Sequence, residues 1–261
     1  MSDLLRVQAV VLSSAPVGEY DKRVVLLTRE RGKISAFAKG ARRPGSPFMA
    51  ACNPFVFGDF LVYEGRSSYN LNQVTIRHHF GNLATLQPEV YYGYYFLELA
   101  DYFGHEGTDE KQMMNLLYVA VRALTERKMD NRLIRSCFEL RTMAEQGLAP
   151  RLYECGACGK DLSSSEAKAF FSLNANGLIC EACAKRLSSR GEEGGRSDLM
   201  RISVLCLAAM RYACTAPLGR LFSFRLPEEN LKELEHISYR YLSRAVDKKI
   251  KSLQILEIMA K

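Results

Sequence analysis

The sequence predicts an α+β multidomain chain in which a barrel of strands precedes helices that are interrupted by a cysteine-bearing insertion. Three patterns support this prediction. Apolar residues alternate with period two over residues 1–80, recur every three or four residues from Leu83 onward, and give way to two cysteine pairs within 151–190. The 261 residues are 48% hydrophobic and 25% charged, which is typical of globular proteins and excludes a wholly disordered or collagen-like chain.

Five strands are expected in residues 1–80, and each is β-branched, apolar or cleanly alternating: 6–12, 23–28, 33–39, 55–63 and 71–79. Gly32 marks a hairpin turn between the second and third strands, and the stretch from Gly40 to Pro54 is rich in glycine and proline. Five short strands in so few residues fit a small barrel. The five-stranded oligonucleotide/oligosaccharide-binding barrel, or OB-fold, matches that size.

Helical periodicity then takes over from Leu83, and Pro88 and Glu89 suit the start of a first helix that carries the aromatic residues of 91–103. Further helices are expected at 109–128, 131–146, 198–214 and 228–246, and a last amphipathic segment at 252–259. The aromatic stripe from Tyr91 to Phe103 is interpreted as the core face of a helical bundle rather than as a ligand site. Gly191–Gly195 is expected to be a flexible connection. The predicted domains are a barrel over 1–80, a helical domain over 81–150 and 191–261, and a metal-binding insertion over 151–190.

The insertion carries two C-x2-C pairs separated by 21 residues: Cys155, Cys158, Cys180 and Cys183. Four thiolates without an imidazole or carboxylate favour one tetrahedral Zn2+, and four protein ligands close its shell, so the metal is expected to be structural. The pattern resembles a zinc ribbon, although the spacer slightly exceeds the usual 15–20 or so residues. A redox dithiol is the less favoured alternative, because that chemistry needs only one pair. The other cysteines are expected to be buried as small apolar residues: Cys52, Cys137, Cys206 and Cys214.

The formal net charge of +7 is unevenly distributed, with +5 in residues 1–80, −3 in 81–150 and +5 in 151–261. Eight cations fall between Lys22 and Arg43, opposed only by Glu30. On an alternating strand Lys33, Phe37 and Lys39 share one face, and cations beside an aromatic ring are typical of a single-strand groove. A plain solvated strand face is the alternative. Further cations and rings could extend such a groove: Arg23, Arg66, Arg77, Phe48 and Tyr69.

No enzyme is expected from the motifs. The sequence has no P-loop, dinucleotide fingerprint, nucleophile elbow or paired zinc-ligand histidine motif. A nuclease would need clustered carboxylates, and Asp21, Asp59 and Glu64 are widely spaced. No apolar run approaches the roughly 20 residues of a membrane span, and no signal sequence is evident, so a cytosolic protein is expected. The competing hypothesis from another class is a protein-interaction scaffold whose charge is incidental.

Several segments resemble the RecO family of bacterial recombination mediators. They are the turn from Thr28 to Gly32, the stretch Lys39-Gly40-Ala41-Arg42-Arg43, the helical Tyr-Tyr-Phe-Leu-Glu-Leu-Ala-Asp from Tyr94 to Asp101, and a four-cysteine insertion between helices. The resemblance implies a cytoplasmic, nucleoid-associated protein that binds single- and double-stranded DNA and anneals complementary strands. It also implies contact with the C-terminal tail of the single-strand-binding protein SSB, and a complex with RecR that loads RecA onto SSB-coated DNA.

Carried onto this sequence, the resemblance implies specific contact residues. The expected DNA contacts are Lys39, Arg42 and Arg43, followed by Arg23, Lys33 and Arg66. The acidic, phenylalanine-ended SSB tail should need a cationic rim over an apolar pocket on the helical domain. The candidates for that rim are Arg122, Arg127, Arg132 and Arg135.

Overall fold

The structure is a computed structural model that describes residues 4–66, 68–164, 169–189 and 198–260. Its contacts divide the chain into two compact units, Met1–Lys128 with Ile250–Lys261, and Met129–Lys249. The predicted division placed residues 81–128 with the later helices, whereas the contacts place them with the strands. The division of the chain into three domains stays a prediction. No helix in the described ranges is long and apolar enough to cross a membrane.

The predicted α+β order of strands followed by helices is confirmed. The strands are β1 (Leu4–Val17), β2 (Asp21–Thr28), β3 (Gly32–Ala38), β4 (Val56–Glu64), β5 (Tyr69–His79), β6 (Ala169–Ser172), β7 (Gly177–Cys180) and β8 (Leu199–Arg201). The helices are α1 (Phe48–Ala51), α2 (Glu89–Phe103), α3 (Lys111–Glu126), α4 (Asn131–Glu145), α5 (Glu181–Ser189), α6 (Val204–Thr215), α7 (Glu228–Ala245) and α8 (Lys251–Met259). Single 3-10 turns lie at Gly81–Thr85 and Leu218–Arg220.

The first five strands close into a barrel with the order β1-β2-β3-β5-β4. Neighbouring strands are antiparallel except β3 and β5, which run parallel where Ala36 faces Tyr69. Alternation in β3 decides which side chains face inward, because Ile34, Ala36 and Ala38 are buried while the residues between them are half-buried. Small residues at two of these three inward positions suit the narrow interior of a five-stranded barrel.

Helices α2, α3 and α8 belong to the same compact unit as the barrel. The predicted core face of α2 is confirmed, since Tyr95, Phe96 and Leu99 are fully buried. The carboxylate of Glu98 accepts hydrogen bonds from the backbone N–H groups of Lys251 and Ser252, at 3.1 and 2.7 Å. That carboxylate caps the first turn of α8, whose amides have no partner within the helix, and so joins α8 to α2.

The hairpin turn between β2 and β3 packs against the segment that follows α2, where the Lys33 amide donates to the His105 carbonyl. The Thr28 hydroxyl donates to the Gly32 carbonyl at 2.8 Å and accepts from the Arg31 amide at 2.9 Å. Gly32 has a φ of +66°, and a Cβ there would lie 1.9 Å from the His105 carbonyl oxygen. A glycine is required both for the left-handed backbone and for this close approach.

The Met129–Lys249 unit contains helices α4, α6 and α7 and a three-stranded sheet of order β7-β6-β8. The predicted helix over 198–214 is wrong at its start, because Leu199–Arg201 forms β8 and pairs with β6, with Arg201 opposite Phe170. Helix α6 begins later, where the Ser203 hydroxyl accepts the Cys206 amide as an N-cap. The predicted connection at Gly191–Gly195 lies outside the described residues.

Candidate nucleic-acid interface and metal centre

Residues Lys39–Arg43, here called the basic loop, follow β3 and are fixed at three points. The Gly40 amide donates to the Asp21 carboxylate at 2.7 Å, and the Arg42 amide donates to the Tyr20 carbonyl at 2.8 Å. Ala41 is fully buried and joins the barrel core. The loop is therefore held against the β1–β2 turn with its backbone ordered, while its charged side chains point away from the core.

The three cations of the basic loop, Lys39, Arg42 and Arg43, are all exposed. The Arg42 guanidinium donates to the Gly18 carbonyl at 3.3 Å, and that of Arg43 stacks over the Tyr20 ring at 5.1 Å. Tyr20 is 42% exposed. Exposed cations beside an exposed ring can hold phosphates and stack a base. Tyr20 could not be predicted from the sequence, because only the folded β1–β2 turn places its ring beside the basic loop.

The outward side of β2 and β3, here called the β2–β3 face, continues from the basic loop. Arg23 is exposed, faces Phe37 across the strand pair, and donates from Nε to the Ser35 hydroxyl at 2.7 Å. Lys33 differs from its neighbours on this face. Its ammonium donates to the Asp101 carbonyl and lies 3.5 Å from the Asp101 carboxylate, which ties it to α2. Arg23 therefore lies exposed on the face that continues from the basic loop, whereas the Lys33 ammonium is bound to Asp101 of α2.

The remaining predicted contacts do not lie beside the basic loop. Arg66 is exposed in the β4–β5 connection, and since β5 starts beside Ala36 and runs parallel to β3, this connection lies towards the Lys33 end of the strand pair. Arg77 donates to the Asp59 carboxylate at 2.8 Å on the β4–β5 wall. The expectation of a stacking ring at Tyr69 is wrong, because its side chain is buried in the barrel core. Phe48 packs partly buried against the same core.

The four arginines predicted for an SSB-tail rim are all engaged in ion pairs within their own unit. Arg122 pairs with Glu126, and Arg127 pairs with the nearly buried Glu89. Arg132 bridges Asp130 and Glu228. The fourth, Arg135, is buried, and its Nε donates to the buried Glu139 carboxylate at 2.8 Å, so it does not belong to an exposed rim.

The Met129–Lys249 unit contains a pocket that none of these four arginines lines. Its volume is about 380 Å³, and it is lined by the apolar side chains Met143, Leu148 and Tyr241 and by two arginines, Arg151 and Arg244. Leu148 is 45% exposed and forms part of the accessible apolar surface. No acidic residue lines this pocket in the described part of the chain.

The four predicted metal ligands are brought together. The Sγ atoms of Cys155, Cys158, Cys180 and Cys183 all lie within 4.8 Å of one another, the only such His, Cys, Asp and Glu group in the described ranges. The Cys158 and Cys180 sulfurs are 3.8 Å apart. Ligands about 2.3 Å from a tetrahedral zinc are separated by about 3.8 Å, so this arrangement fits one metal ion.

Each cysteine pair reaches the centre from a different local structure. Cys155 and Cys158 lie in the loop after Leu152, Cys180 ends β7, and Cys183 lies in the first turn of α5. Burial raises the pKa of the Cys155 thiol, but hydrogen bonds from the backbone amides of Cys180 and neighbouring residues outweigh it and lower that pKa to about 6. Burial raises the pKa of the Cys183 thiol in the same cluster to about 11, so the shift that favours a thiolate at Cys155 is not shared by all four ligands.

The chain is similar to known proteins over nearly its whole length. Residues 1–80 match the family model described as Recombination protein O N terminal, and residues 88–254 match Recombination protein O C terminal. A protein of Alkaliphilus metalliredigens named DNA repair protein RecO is 30% identical over 245 residues, 94% of this chain and 95% of the relative. Proteins of the same name from Clostridium kluyveri and Symbiobacterium thermophilum are 27% and 28% identical, over 97% and 98% of this chain and 93% and 98% of the relatives.

Proposed function

Because the chain belongs to the RecO family of DNA repair proteins, we propose that it binds single- and double-stranded DNA and anneals complementary strands. The observation that carries this proposal is the basic loop, whose three exposed cations lie beside the exposed Tyr20 ring and the exposed Arg23. Charge tracks the phosphates and the ring stacks a base, which gives affinity without readout of sequence.

The barrel supports the proposal because we assign it to the OB-fold. OB-folds bind oligonucleotides on the face of their second and third strands and between the loops that join strands 1–2 and 4–5. In this chain the β1–β2 turn carries Tyr20, the β2–β3 face carries Arg23 and Phe37, and the β4–β5 connection carries Arg66. Arg23 and Arg66 therefore lie at positions that the fold uses for nucleic acid, and the basic loop, which follows β3, adjoins the β1–β2 turn through the hydrogen bond of the Arg42 amide to the Tyr20 carbonyl.

Annealing by such a surface needs neither a cofactor nor a chemical step. Two single strands repel each other through their phosphates, and a cationic surface that holds both removes much of that repulsion. Base pairing then supplies the free energy. No bond is made or broken by the protein, so we propose a binding function rather than an enzymatic one.

A titration at two salt concentrations tests this function against the alternative of a protein-interaction scaffold. The affinity for single-stranded DNA is expected to fall steeply with salt, by roughly tenfold or more between 50 and 200 mM for three or four phosphate contacts. Strand annealing, followed by fluorescence of two labelled complementary oligonucleotides, should lose rate in parallel. Affinity that is absent at low salt would favour the scaffold.

We further propose that the protein acts with RecR to load RecA onto SSB-coated DNA, in the cytoplasm at the bacterial nucleoid. The SSB tail is then expected in the pocket of the Met129–Lys249 unit. Leu148 and Tyr241 would receive the terminal phenylalanine, while Arg151 and Arg244 would face its carboxylate and the acidic residues before it.

Replacing Leu148 with glutamate should abolish binding of an SSB-tail peptide, because it puts a negative charge on the apolar part of a pocket for an acidic ligand. Fluorescence anisotropy of a labelled tail peptide measures the affinity. Leu205→Glu is the matched control, since Leu205 is similarly exposed, at 49% against 45%, in the same unit but outside the pocket. Equal affinities of the two variants would place the tail elsewhere.

For the four-cysteine centre we propose one structural Zn2+. The donor set supports it, because four soft thiolates at mutual distances that suit a tetrahedron are typical of closed zinc sites. The ion would supply folding free energy to the sheet of β6, β7 and β8 and would leave no coordination position for a substrate. The name zinc ribbon for this sheet with its two knuckles is part of the same proposal.

A further inference from the structure

We propose that a second pocket, on the barrel wall formed by β1, β4 and β5, binds a single nucleobase of a DNA strand. Its volume is about 240 Å³, and its lining includes Gln8, Phe57, Arg77, His78, Asn115 and Tyr118. The strands that form this wall are not those of the β2–β3 face. The inference rests on the proposed binding of DNA and adds a separate contact to it.

The rings of this pocket are held in place before any ligand arrives. The Tyr118 ring lies edge-on to His78 at 5.0 Å, to Phe57 at 5.5 Å and to Phe80 at 5.6 Å between centroids. Tyr118 is only half-buried and His78 is exposed, so ring surface remains on the pocket side. A ring fixed by its neighbours loses little entropy when a base stacks on it.

Cations stand beside these rings. Gly58 pairs with Ile76 and Phe57 with His78, so Arg77 is an extra residue in β5, a bulge that re-aims its side chain. Arg77 and Arg6 share the nearly buried Asp59 carboxylate, at 2.8 and 3.6 Å, which leaves one positive charge in excess there. Their side chains remain 54% and 69% exposed, so both can reach a phosphate.

The pocket residue Gln8 contacts two charged side chains of opposite sign. The Gln8 side-chain oxygen accepts from the Arg29 guanidinium at 3.3 Å, and the Gln8 backbone amide donates to the Glu30 carboxylate at 3.0 Å. Arg29 and Glu30 balance each other, so the net charge contributed by these barrel contacts stays positive. On α3, the exposed Lys111 lies one turn before the pocket residue Asn115, with the exposed Asp109 next to it, so the start of this helix adds no net charge.

The size and the polar groups indicate one base rather than a whole cofactor. Pockets for complete small-molecule ligands measure about 300–1,000 Å³, and this one is smaller. The Asn115 side-chain amide offers both a donor and an acceptor to the edge of a base. A base stacked here, with its flanking phosphates near Arg6 and Arg77, would put one strand on this wall while another lies on the β2–β3 face.

Photo-crosslinking tests the site directly. A single-stranded oligonucleotide with iodouracil in place of thymine is bound to the full chain and irradiated, and the crosslinked peptides are identified by mass spectrometry. Crosslinks at Tyr118 or His78 are expected, in addition to any at Tyr20. DNA that binds but crosslinks only near the basic loop would overturn this inference and leave the proposed function standing. An oligonucleotide that does not bind would overturn both.

A matched pair of variants gives a second readout. Asn115→Asp places a carboxylate in the pocket, and Gln112→Glu makes the same change at an exposed position of α3 that does not line it. The affinity for single-stranded DNA is expected to fall about 5-fold or more in Asn115→Asp, the lower end of the loss expected for one stacked base. Gln112→Glu should stay near wild type. Equal affinities of the two variants would overturn the inference.

Discussion

Changing Lys39, Arg42 and Arg43 together to alanine is expected to weaken single-strand binding about 100-fold near 0.1 M salt. Each phosphate contact to a single strand contributes about 0.7 to the slope of log affinity against log salt, so the loss of three reduces that slope by about 2. The affinities of the wild type and the variant then become equal near 1 M salt, and at 0.1 M salt they differ by about two decades. Fluorescence titrations at four or more salt concentrations measure both quantities.

The folded structure should tolerate this change. The three side chains are exposed, whereas the loop is anchored by buried Ala41 and by the hydrogen bond from the Gly40 amide to Asp21, which the variant keeps. Thermal unfolding should therefore occur near the wild-type temperature. An unchanged salt slope would show that DNA does not contact the basic loop.

A control variant that loses the same number of positive charges distinguishes an effect of the basic loop from an effect of the net charge of the chain. Arg201, Arg220 and Arg225 are exposed in the Met129–Lys249 unit, and their change to alanine removes the same three positive charges. Affinity in this control is expected to remain within a few fold of wild type. If both triple variants lost affinity equally, the total charge of the chain rather than the basic loop would be responsible.

The features that the sequence predicted well depend on short-range patterns. Alternation in β3 gave the correct inward and outward residues, and the periodicity of α2 gave its core face. Cysteine spacing predicted the cluster for the same reason, since each C-x2-C pair can converge on one centre through local turns alone. In these three features, the position of each side chain is decided mainly by neighbouring residues in the sequence.

What the sequence could not show depends on which distant segments meet. Lys33 shares the outward face of β3 with Phe37 by alternation, but the end of α2 packs there and the Asp101 carboxylate lies 3.5 Å from its ammonium. Arg135 looks like a surface arginine in α4, yet it is buried beside Glu139, which also accepts from Ser238 of α7. Strand β8 is only three residues long and forms because β6 offers it an edge, so no periodicity predicts it.

Removing the proposed Zn2+ is expected to unfold the sheet of β6, β7 and β8 while the barrel stays folded. These strands have four, four and three residues, which is little structure for independent stability. A structural zinc contributes an apparent 10–16 kcal/mol or so near neutral pH, as much as the whole stability of a typical domain. The loss should therefore be cooperative, and acid should promote it because the ligands bind as thiolates.

Cys180→Ser tests this prediction, with Cys214→Ser as a control outside the cluster in the same unit. Elemental analysis should find about one zinc per chain in the wild type and in the control, and much less in Cys180→Ser. Amide hydrogen exchange should become fast in β6 and β7 of that variant but stay slow in β2, since the barrel core contains none of the four ligands. Wild-type protein without metal whose β6 and β7 exchange slowly would contradict the prediction. Such a result would mean that the cluster of thiols packs as an ordinary core, and the buried Cys155, Cys180 and Cys183 would then stabilise the sheet by burial alone.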